Sequence, residues 1–459
     1  MKNSRQVKYA YTLFLVLFVV LICWYFKILV SYNYLGQDAG YYLKIAYDLS
    51  NGLSYYTSFN SVYTPLGIYL YSIPFYCNQS AGLLIFQIGI GVLYSVNALL
   101  FFILSKWINP HTKLRVFFTL LMLIMQFKLQ GLHILLEPIV LFFLLLSIIL
   151  LFKAKEKVEL YMVSGLCVFL AFFTKQYGVF VVPSMLFYIV LSSENKKKFF
   201  KKSTFFLLGL SLPFLVLYAY YYNSFSIGEL LGKLLGKTTK ESPFIVTAPN
   251  YTAEGLVYKL KRVTYMFPFV GLLVLLFFKK TKNYWFLVVL FLCSLTQLYF
   301  AYYYHYFQLI IPFLILLLLA IDVKIMRKAT VVVLAITTVF TVSSFLEVAK
   351  KERKQKAKAT HQQEIAHELE KCLPKGEAVY LHGVSPAFYF KNKYGSPNTK
   401  TIGYVFPNGV PVTVFLAFLK KGQYMYVKQK DITVAIEEAY NIVCVLQIRK
   451  EQICLIQKK

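Results

Sequence analysis

Acidic residues are scarce in this chain, which has 20 Asp and Glu against 49 Lys and Arg, so an acid in an apolar setting is a candidate for chemistry. Asp38 stands directly before a stretch with helical periodicity. An Asp in this position accepts hydrogen bonds from the free N–H groups of a first turn. A carboxylate fixed at a helix start is also a well-placed general base. The sequence leaves both interpretations of Asp38 open.

Glu137 lies at the start of an apolar run, in the segment Leu135-Leu136-Glu137-Pro138. Pro138 suits the first turn of a helix, where the helix dipole favours an acid. A charge at the centre of a membrane span costs about 2.5–3.5 kcal/mol, so an acid within a span is by default a candidate site residue. Glu137 is therefore either a first-turn acid or a member of a functional site.

Three cations could bind an anionic group. Lys175 interrupts an apolar run, His305 follows three tyrosines, and Arg262 ends a polar segment. Lys175 is either a snorkelling side chain that reaches lipid headgroups or a point charge that holds a lipid phosphate. His305 is either an interface residue among aromatics or a hydrogen-bond donor to the same phosphate.

No other pattern in the sequence points to catalysis. The His and Cys residues lack metal-ligand spacing, and the chain has no Walker loop, no dinucleotide-binding glycine pattern and no serine nucleophile elbow. We therefore expect no resident cofactor, find no indication of a divalent metal, and expect the energy for a reaction to come from a membrane-borne donor.

The elements that position these residues are predicted membrane spans. Hydrophobic residues make up 58% of the chain and mean hydropathy is +0.59, whereas soluble chains carry roughly 45–50% apolar residues. Apolar blocks of about 17–22 residues match the length that a helix needs to cross the hydrocarbon core. A further run at 160–191, broken at Thr174-Lys175-Gln176, predicts two short helices and brings the total to about eleven spans. The other blocks lie at 9–30, 81–105, 114–129, 134–152, 203–222, 263–278, 284–303, 306–321 and 329–347.

The net charge of +29 is distributed as in a membrane protein, and it does not indicate a nucleic-acid partner. Basic clusters occupy short loops at alternate crossings, which places the N-terminus in the cytoplasm and, after eleven crossings, the C-terminal segment outside. The Lys-rich loop at 223–262 also falls outside, but the rule weakens for longer segments. The first span lacks a small-residue cleavage site, so we interpret it as uncleaved.

Three regions are predicted outside the membrane: a first loop at 31–80, a second loop at 223–262, and the C-terminal segment. Within the first loop, the apolar positions of 39–49 predict a helix on the membrane surface, ended by Asn51-Gly52. The chain thus divides into a transmembrane module at 1–347 and an extracytoplasmic domain at 348–459.

The C-terminal segment has the pattern of a small α/β domain. Strands are predicted at 378–381, 442–448 and 452–457, and helices near 386–390 and at 432–440. Cys372, Cys444 and Cys454 could include one disulfide, but three cysteines cannot all pair within the chain. The predicted fold class is a polytopic α-helical membrane protein with a small α/β extracytoplasmic domain at its C-terminus.

Four segments, taken in order, resemble the GT-C glycosyltransferases that use polyprenyl-phosphate sugars. The most similar branch contains the protein O-mannosyltransferases and the aminoarabinose transferase. Where that family has a second acid after the first Asp, this chain has Ala39, and one Pro of the usual pair is missing. The matching segments are Asp38-Ala39-Gly40-Tyr41-Tyr42 with Thr64-Pro65-Leu66, Leu136-Glu137-Pro138, Thr174-Lys175-Gln176-Tyr177-Gly178 with Pro183, and His305-Tyr306-Phe307-Gln308 with Pro312. The resemblance covers about residues 9–325 and implies a GT-C-like fold.

The resemblance also implies an activity: an inverting glycosyltransferase on the outer membrane face, with a polyprenyl-phosphate sugar as donor. The acceptor would be a hydroxyl of an envelope glycan, lipid or protein. Asp38 would be the general base, and Glu137 would orient a substrate sugar. The leaving lipid phosphate would be stabilised by Lys175, His305 and Arg262.

Tyrosines of the first loop, Tyr41 and Tyr42 among them, could stack on sugar rings, although tyrosine is also common at membrane interfaces.

Two other functions fit parts of the pattern. A lipid-linked glycan flippase or transporter would place charged residues deep in several spans and have little outer domain. A polysaccharide polymerase of an envelope pathway would use arginines in large outer loops, where only Arg262 is available. In this chain the acids lie at the predicted outer ends of the spans, and the C-terminal domain is predicted to lie outside the membrane. Both features favour a glycosyltransferase over these alternatives.

Overall fold

The computed structural model describes residues 37–58, 63–78, 82–127, 134–235, 282–300 and 304–320, together with the strands and parts of the helices between 343 and 459 and scattered positions elsewhere. Arg262 lies outside the described residues. The chain forms two compact units. The first comprises Met1–Ile28, Gly89–Ile227 and Pro249–Lys351, and the second comprises Leu29–Ile88, Gly228–Ala248 and Glu352–Lys459.

Most of the described residues are helical, because the apolar runs contain few residues that break helices. The helices are α1 (Gln37–Ser50), α2 (Tyr55–Ser58), α3 (Leu66–Cys77), α4 (Gly82–Ser105), α5 (Thr112–Gln126), α6 (Glu137–Ala154), α7 (Val158–Thr174), α8 (Val182–Ser192), α9 (Lys196–Tyr221), α10 (Ile227–Leu234), α11 (Lys282–Leu295), α12 (Gln297–Phe300), α13 (Phe307–Leu319) and α14 (Val434–Ala439). Two short 3-10 helices occupy Gln176–Val181 and Tyr304–Tyr306.

Three of the described helices, α4, α6 and α9, are long and apolar enough to cross a membrane, and five shorter apolar helices accompany them. The predicted count of eleven spans includes segments outside the described residues, so it stays a prediction. The predicted break in the run at 160–191 is confirmed: α7 ends at Thr174, Lys175 is extended with φ −157°, and a 3-10 turn leads into α8.

Helices α6, α7 and α9 of the first unit pack at very short range through small residues. A Cβ atom on Gly165 of α7 would lie 2.0 Å from the Phe206 carbonyl oxygen, and one on Gly209 of α9 would lie 1.9 Å from that of Met162. Ser147 of α6 and Ser164 of α7 place their hydroxyl oxygens 2.8 Å apart. Small residues of this kind let membrane helices approach closely, where van der Waals contact replaces the hydrophobic effect.

This close packing predicts that Gly165→Ala or Gly209→Ala destabilises the protein by about 1–3 kcal/mol, the usual cost of overpacking. The added methyl group would meet backbone atoms, which cannot rotate away. Thermal unfolding in detergent measures the effect. Gly89→Ala is the matched control, because a Cβ on Gly89 of α4 has no atom within 4 Å. Equal melting temperatures for all three variants would contradict the packing described for α7 and α9.

In the second unit, α1 packs against α3, and the Tyr76 hydroxyl donates to the Leu49 carbonyl at 2.8 Å. α1 ends in a turn at Asn51-Gly52, where Gly52 adopts a φ of +88°. The predicted surface helix is present, but it is buried on most of its circumference, including the charged residues Lys44 and Asp48. The placement of this helix on the membrane surface stays a prediction.

The second unit also contains a five-stranded sheet of β1 (Ala378–His382), β2 (Lys400–Val405), β3 (Tyr424–Lys428), β4 (Tyr440–Ile448) and β5 (Glu451–Lys458). The strand order is β2-β1-β3-β5-β4, with β1 parallel to β2 and β3, and β5 antiparallel to β3 and β4. The three strands and the last helix expected from the sequence lie at β1, β4, β5 and α14. The helix expected near 386–390 falls outside the described residues.

A disulfide joins Cys372 to Cys444 across a sequence separation of 72 residues, whereas Cys454 of β5 is buried with a free thiol. Closing a loop of that length stabilises the folded state by about 4 kcal/mol in the chain-entropy model. We therefore expect Cys372→Ser to lower the unfolding temperature of the C-terminal sheet, as followed by limited proteolysis of the full chain during heating. Reductant should lower the wild-type value to that of the variant and leave the variant unchanged. A reductant effect on both proteins alike would contradict the pairing.

Candidate functional site

Three of the residues singled out from the sequence meet in the first unit. Glu137 is the first residue of α6, Lys175 lies in the joint after α7, and His305 lies in the 3-10 turn before α13. The Lys175 Nζ atom is 2.5 Å from Glu137 Oε1, and His305 Nε2 is 3.7 Å from the same oxygen. One carboxylate oxygen thus faces both the Lys175 ammonium and the His305 imidazole, although 38 residues separate Glu137 from Lys175.

All three side chains of this ionic cluster are buried, with exposed fractions of 0% for Glu137, 1% for Lys175 and 6% for His305. Lys175 therefore does not snorkel to a headgroup layer, and that alternative was wrong. Its ammonium also lies 4.4 Å from the centre of the Tyr306 ring, an additional favourable contact for a desolvated cation. Removing either Glu137 or Lys175 would leave the other as a buried charge without a partner. The stability of each residue in this position therefore depends on the other.

The second carboxylate oxygen of Glu137, Oε2, is buried and has no hydrogen-bond partner among the described residues. Buried polar atoms are nearly always satisfied, so an unpaired carboxylate oxygen needs an explanation. A ligand hydroxyl or an ordered water could donate to it. The carboxylate therefore binds Lys175 with one oxygen and offers the other as an acceptor.

Uncharged polar side chains from three helices surround the start of α6. Asn97 Nδ2 of α4 donates to the Pro138 carbonyl at 2.8 Å, and Gln308 Nε2 of α13 donates to the Leu129 carbonyl at 2.8 Å. Gln126 Nε2 of α5 donates to the Gln308 carbonyl at 2.8 Å, and the Tyr94 hydroxyl is 3.2 Å from Gln308 Oε1. These bonds join α4, α5 and α13 to one another and to the start of α6.

Sequence reasoning overlooked Asn97, Gln126 and Tyr94 at this site. An amide side chain within a long apolar run was the available signal, because a buried amide without a partner is costly. Gln308 was quoted only as part of a motif and received no role.

Asp38 lies in the second unit, in the first turn of α1, and is half-buried. Three tyrosine rings of the same unit pack together: the Tyr41 and Tyr42 ring centres are 6.2 Å apart, and the Tyr63 ring lies 5.9 Å and 5.1 Å from them. Tyr42 is fully buried, and a fully buried ring offers no face to a sugar, so its role is packing. Tyr41 is half-buried and keeps part of its ring accessible.

A second buried ion pair, between Lys44 and Asp48, lies on α1 itself. Burial raises the pKa of the Asp48 carboxyl and lowers the pKa of the Lys44 ammonium, because desolvation disfavours both charges more than their mutual attraction favours them. An i,i+4 pair of Lys and Asp has the same sequence pattern whether it is buried or exposed, so the burial of this pair was not predicted. Ionisable side chains of α1 therefore lie on its buried surface as well as at its N-terminus.

Comparison with known proteins identifies the fold. No protein-family model and no curated protein matches the sequence. The crystal structure of ArnT from Cupriavidus metallidurans in the apo state is similar to 97% of this chain and 98% of its own, with 11% identity and a TM-score of 0.63. An oligosaccharyltransferase of Archaeoglobus fulgidus, tethered to an acceptor peptide, matches 97% of this chain and 74% of its own, with 11% identity and a TM-score of 0.49. The chain has the fold of ArnT, so the expected GT-C-like fold is confirmed.

Proposed function

We propose that this membrane protein is an inverting glycosyltransferase. It moves a sugar from a polyprenyl-phosphate donor to a hydroxyl of an envelope glycan, lipid or protein acceptor on the outer face of the membrane. The fold that the chain shares with ArnT, an aminoarabinose transferase, supports glycosyl transfer as the type of reaction. The observation that carries the proposal is the buried cluster of Glu137, Lys175 and His305, assembled from three separate segments.

In the proposed reaction, Asp38 accepts the proton of the acceptor hydroxyl. The hydroxyl oxygen attacks the anomeric carbon as the bond from that carbon to the phosphate oxygen breaks, and the polyprenyl phosphate leaves with the bonding electron pair. A half-buried carboxylate at a helix start suits this role, because the helix fixes its position while one side remains open to substrate.

Negative charge develops on the lipid phosphate as it leaves, and Lys175 and His305 would stabilise it. A buried cation without a counter-charge is costly, and the Glu137 carboxylate, 2.5 Å from the Lys175 Nζ atom, offsets that cost. Donor phosphate oxygens would become additional partners of the same ammonium. Arg262 stays part of this proposal as a predicted further phosphate contact.

Glu137 has a second task in the proposed site, to orient a sugar. Its buried Oε2 atom is an acceptor without a donor among the described residues, which is the complement of a sugar hydroxyl. Tyr41, which is half-buried, stays a proposed contact for a sugar ring.

The sidedness of the proposal follows from the charge distribution and is supported by the disulfide. Structural disulfides persist in oxidising compartments and are rare in the cytosol. The Cys372–Cys444 bond therefore supports an extracytoplasmic C-terminal domain and, with the positive-inside pattern, a cytoplasmic N-terminus.

The stereochemistry of the product tests the mechanism. A single displacement predicts that the new glycosidic bond has the anomeric configuration opposite to that of the donor. Reaction of the purified protein with a panel of polyprenyl-phosphate sugars, followed by NMR of the product, measures it. Retention of configuration would exclude Asp38 as a base in a single displacement.

The products of this reaction also distinguish a glycosyltransferase from a flippase or transporter. A buried ionic cluster would be suitable for those proteins too. A flippase would move an intact lipid-linked sugar across a vesicle membrane and release no polyprenyl phosphate. A polymerase would instead extend a lipid-linked glycan chain, which chromatography of the lipid products detects.

A further inference from the structure

The N-terminal half of α9 distributes its lysines between two faces of the helix. Lys202 points into the first unit, is 3% exposed, and places Nζ 3.1 Å from Glu156 Oε1 and 5.6 Å from the centre of the Tyr161 ring. Lys198 also reaches acids, at 2.8 Å from Glu194 and 3.4 Å from Glu156. These two lysines are neutralised by partners of the protein itself.

Lys197 and Lys201 lie on another face. Both are exposed, and neither has a carboxylate partner in the part of the chain that the structure describes. At about 100° per residue, Leu208, Leu212 and Leu215 fall within about 60° of Lys197 around the helix axis, as does Lys201. All three leucines are exposed. We call this set of five residues the outer face of α9.

Along its length the outer face is charged at one end and apolar beyond it, which matches the headgroup and acyl chains of a phospholipid. The two lysines lie at one end, and the exposed leucines extend for about 21 Å below Lys201, given a rise of about 1.5 Å per residue. Phe200, beside Lys201, is 64% exposed and adds apolar surface next to the lysines. A second face, about 100° from Leu208 around the axis, is closed to lipid, because Gly209 there packs against the Met162 backbone of α7.

The helix end adds to the attraction for an anion. Asn195 caps α9 by accepting a hydrogen bond from the Lys198 backbone N–H, and the dipole of a long helix is positive at this end. Lys153, Lys155 and Lys157, at the adjacent end of α6 and in the short link to α7, are exposed as well. The potential at this end of the bundle is therefore positive.

We propose that the outer face of α9 binds an anionic phospholipid of the bilayer, with its phosphate against Lys197 and Lys201 and an acyl chain along Leu208, Leu212 and Leu215. The charge of the two lysines selects an anionic headgroup. The apolar surface next to them selects a lipid over a soluble anion. This binding surface belongs to the first unit and is independent of the proposed sugar transfer.

The test measures lipid affinity in the full-length protein. Protein reconstituted in phosphatidylcholine nanodiscs is titrated with phosphatidylglycerol, and bound lipid is counted by native mass spectrometry. A basic side chain near an anionic surface contributes about 1 kcal/mol, a factor of about five, so K197Q/K201Q should bind phosphatidylglycerol about 25-fold more weakly. The double variant K371Q/K421Q, which removes two exposed lysines of the second unit, should bind like the wild type.

Equal affinity of wild type and K197Q/K201Q for phosphatidylglycerol would overturn the proposal. Equal binding of added phosphatidylcholine and phosphatidylglycerol by the wild type would also overturn it, since the surface would then lack charge selectivity. A third arm adds polyprenyl phosphate as competitor. Displacement of phosphatidylglycerol at far lower concentrations of polyprenyl phosphate would assign the surface to the donor's carrier lipid and likewise overturn it.

Discussion

Asp38→Asn is expected to reduce sugar transfer by about 10²- to 10⁴-fold, the usual contribution of a positioned general base, while leaving the protein folded. Asn is nearly isosteric with Asp, and losing an acid from a first turn costs a helix only about 0.3–1 kcal/mol, so α1 should keep its first turn. The amide cannot accept the proton of the acceptor hydroxyl, because its nitrogen and carbonyl are not basic at neutral pH. Loss of activity without loss of stability is therefore the expected signature.

The measurement is the initial rate of transfer by purified variants that have matched melting temperatures. Asp48→Asn, on the same helix, is the comparison variant, because it makes the same chemical change at an acid with no proposed catalytic role. Asp48 is buried and paired with Lys44, so its variant should lose stability because Lys44 is left without its carboxylate. Full transfer activity in Asp38→Asn would remove Asp38 from the role of base.

Lys175→Met is expected to destabilise the protein by about 3–5 kcal/mol, the cost of leaving a buried carboxylate without its partner, and to abolish use of the donor. Glu137 is fully buried, and the neighbour that remains in the cluster is the imidazole of His305 at 3.7 Å. Methionine has nearly the length of lysine, so the change removes charge with little loss of packing volume.

The double variant Glu137→Gln/Lys175→Met separates the two effects. It removes both charges together, so most of the lost stability should return, as buried ion pairs replaced by neutral residues are often neutral in stability. Transfer should not return, because the phosphate site lacks its cation. Thermal unfolding and donor-dependent rates of the three variants and the wild type form one cycle. Recovery of both stability and transfer in the double variant would restrict Lys175 to a structural role.

The sequence was most informative where local chemistry decides the structure. Apolar runs predicted helices, and Thr174-Lys175-Gln176 predicted the break that ends α7, because a polar triplet with a glycine close behind cannot continue a membrane helix. Pro138 predicted the start of α6 beside Glu137. The order of the four family-like segments predicted the fold that the comparison with ArnT confirms.

Contacts between distant segments were beyond the sequence. Lys175 and His305 were both predicted to contact a donor phosphate, and the structure shows that each also faces Glu137. That contact depends on the packing of α6, α7 and α13, which the sequence does not specify. The burial of Lys44 and Asp48 was also unforeseen, because an i,i+4 pair is the same in sequence whether a second helix covers it or not. The roles of the buried amides of Asn97 and Gln126 depend on the carbonyl groups to which they donate, and those groups belong to distant segments.

The release of polyprenyl phosphate tests the central claim most directly. Purified wild-type protein in detergent is given a labelled polyprenyl-phosphate sugar, with and without an envelope fraction as acceptor, and the free polyprenyl phosphate is quantified beside the labelled product. The proposed function predicts acceptor-dependent release in a one-to-one ratio with transferred sugar, at a rate that falls by at least about 10²-fold in Asp38→Asn. Movement of the intact donor lipid across a membrane, without release of polyprenyl phosphate for any sugar in the panel, would contradict it.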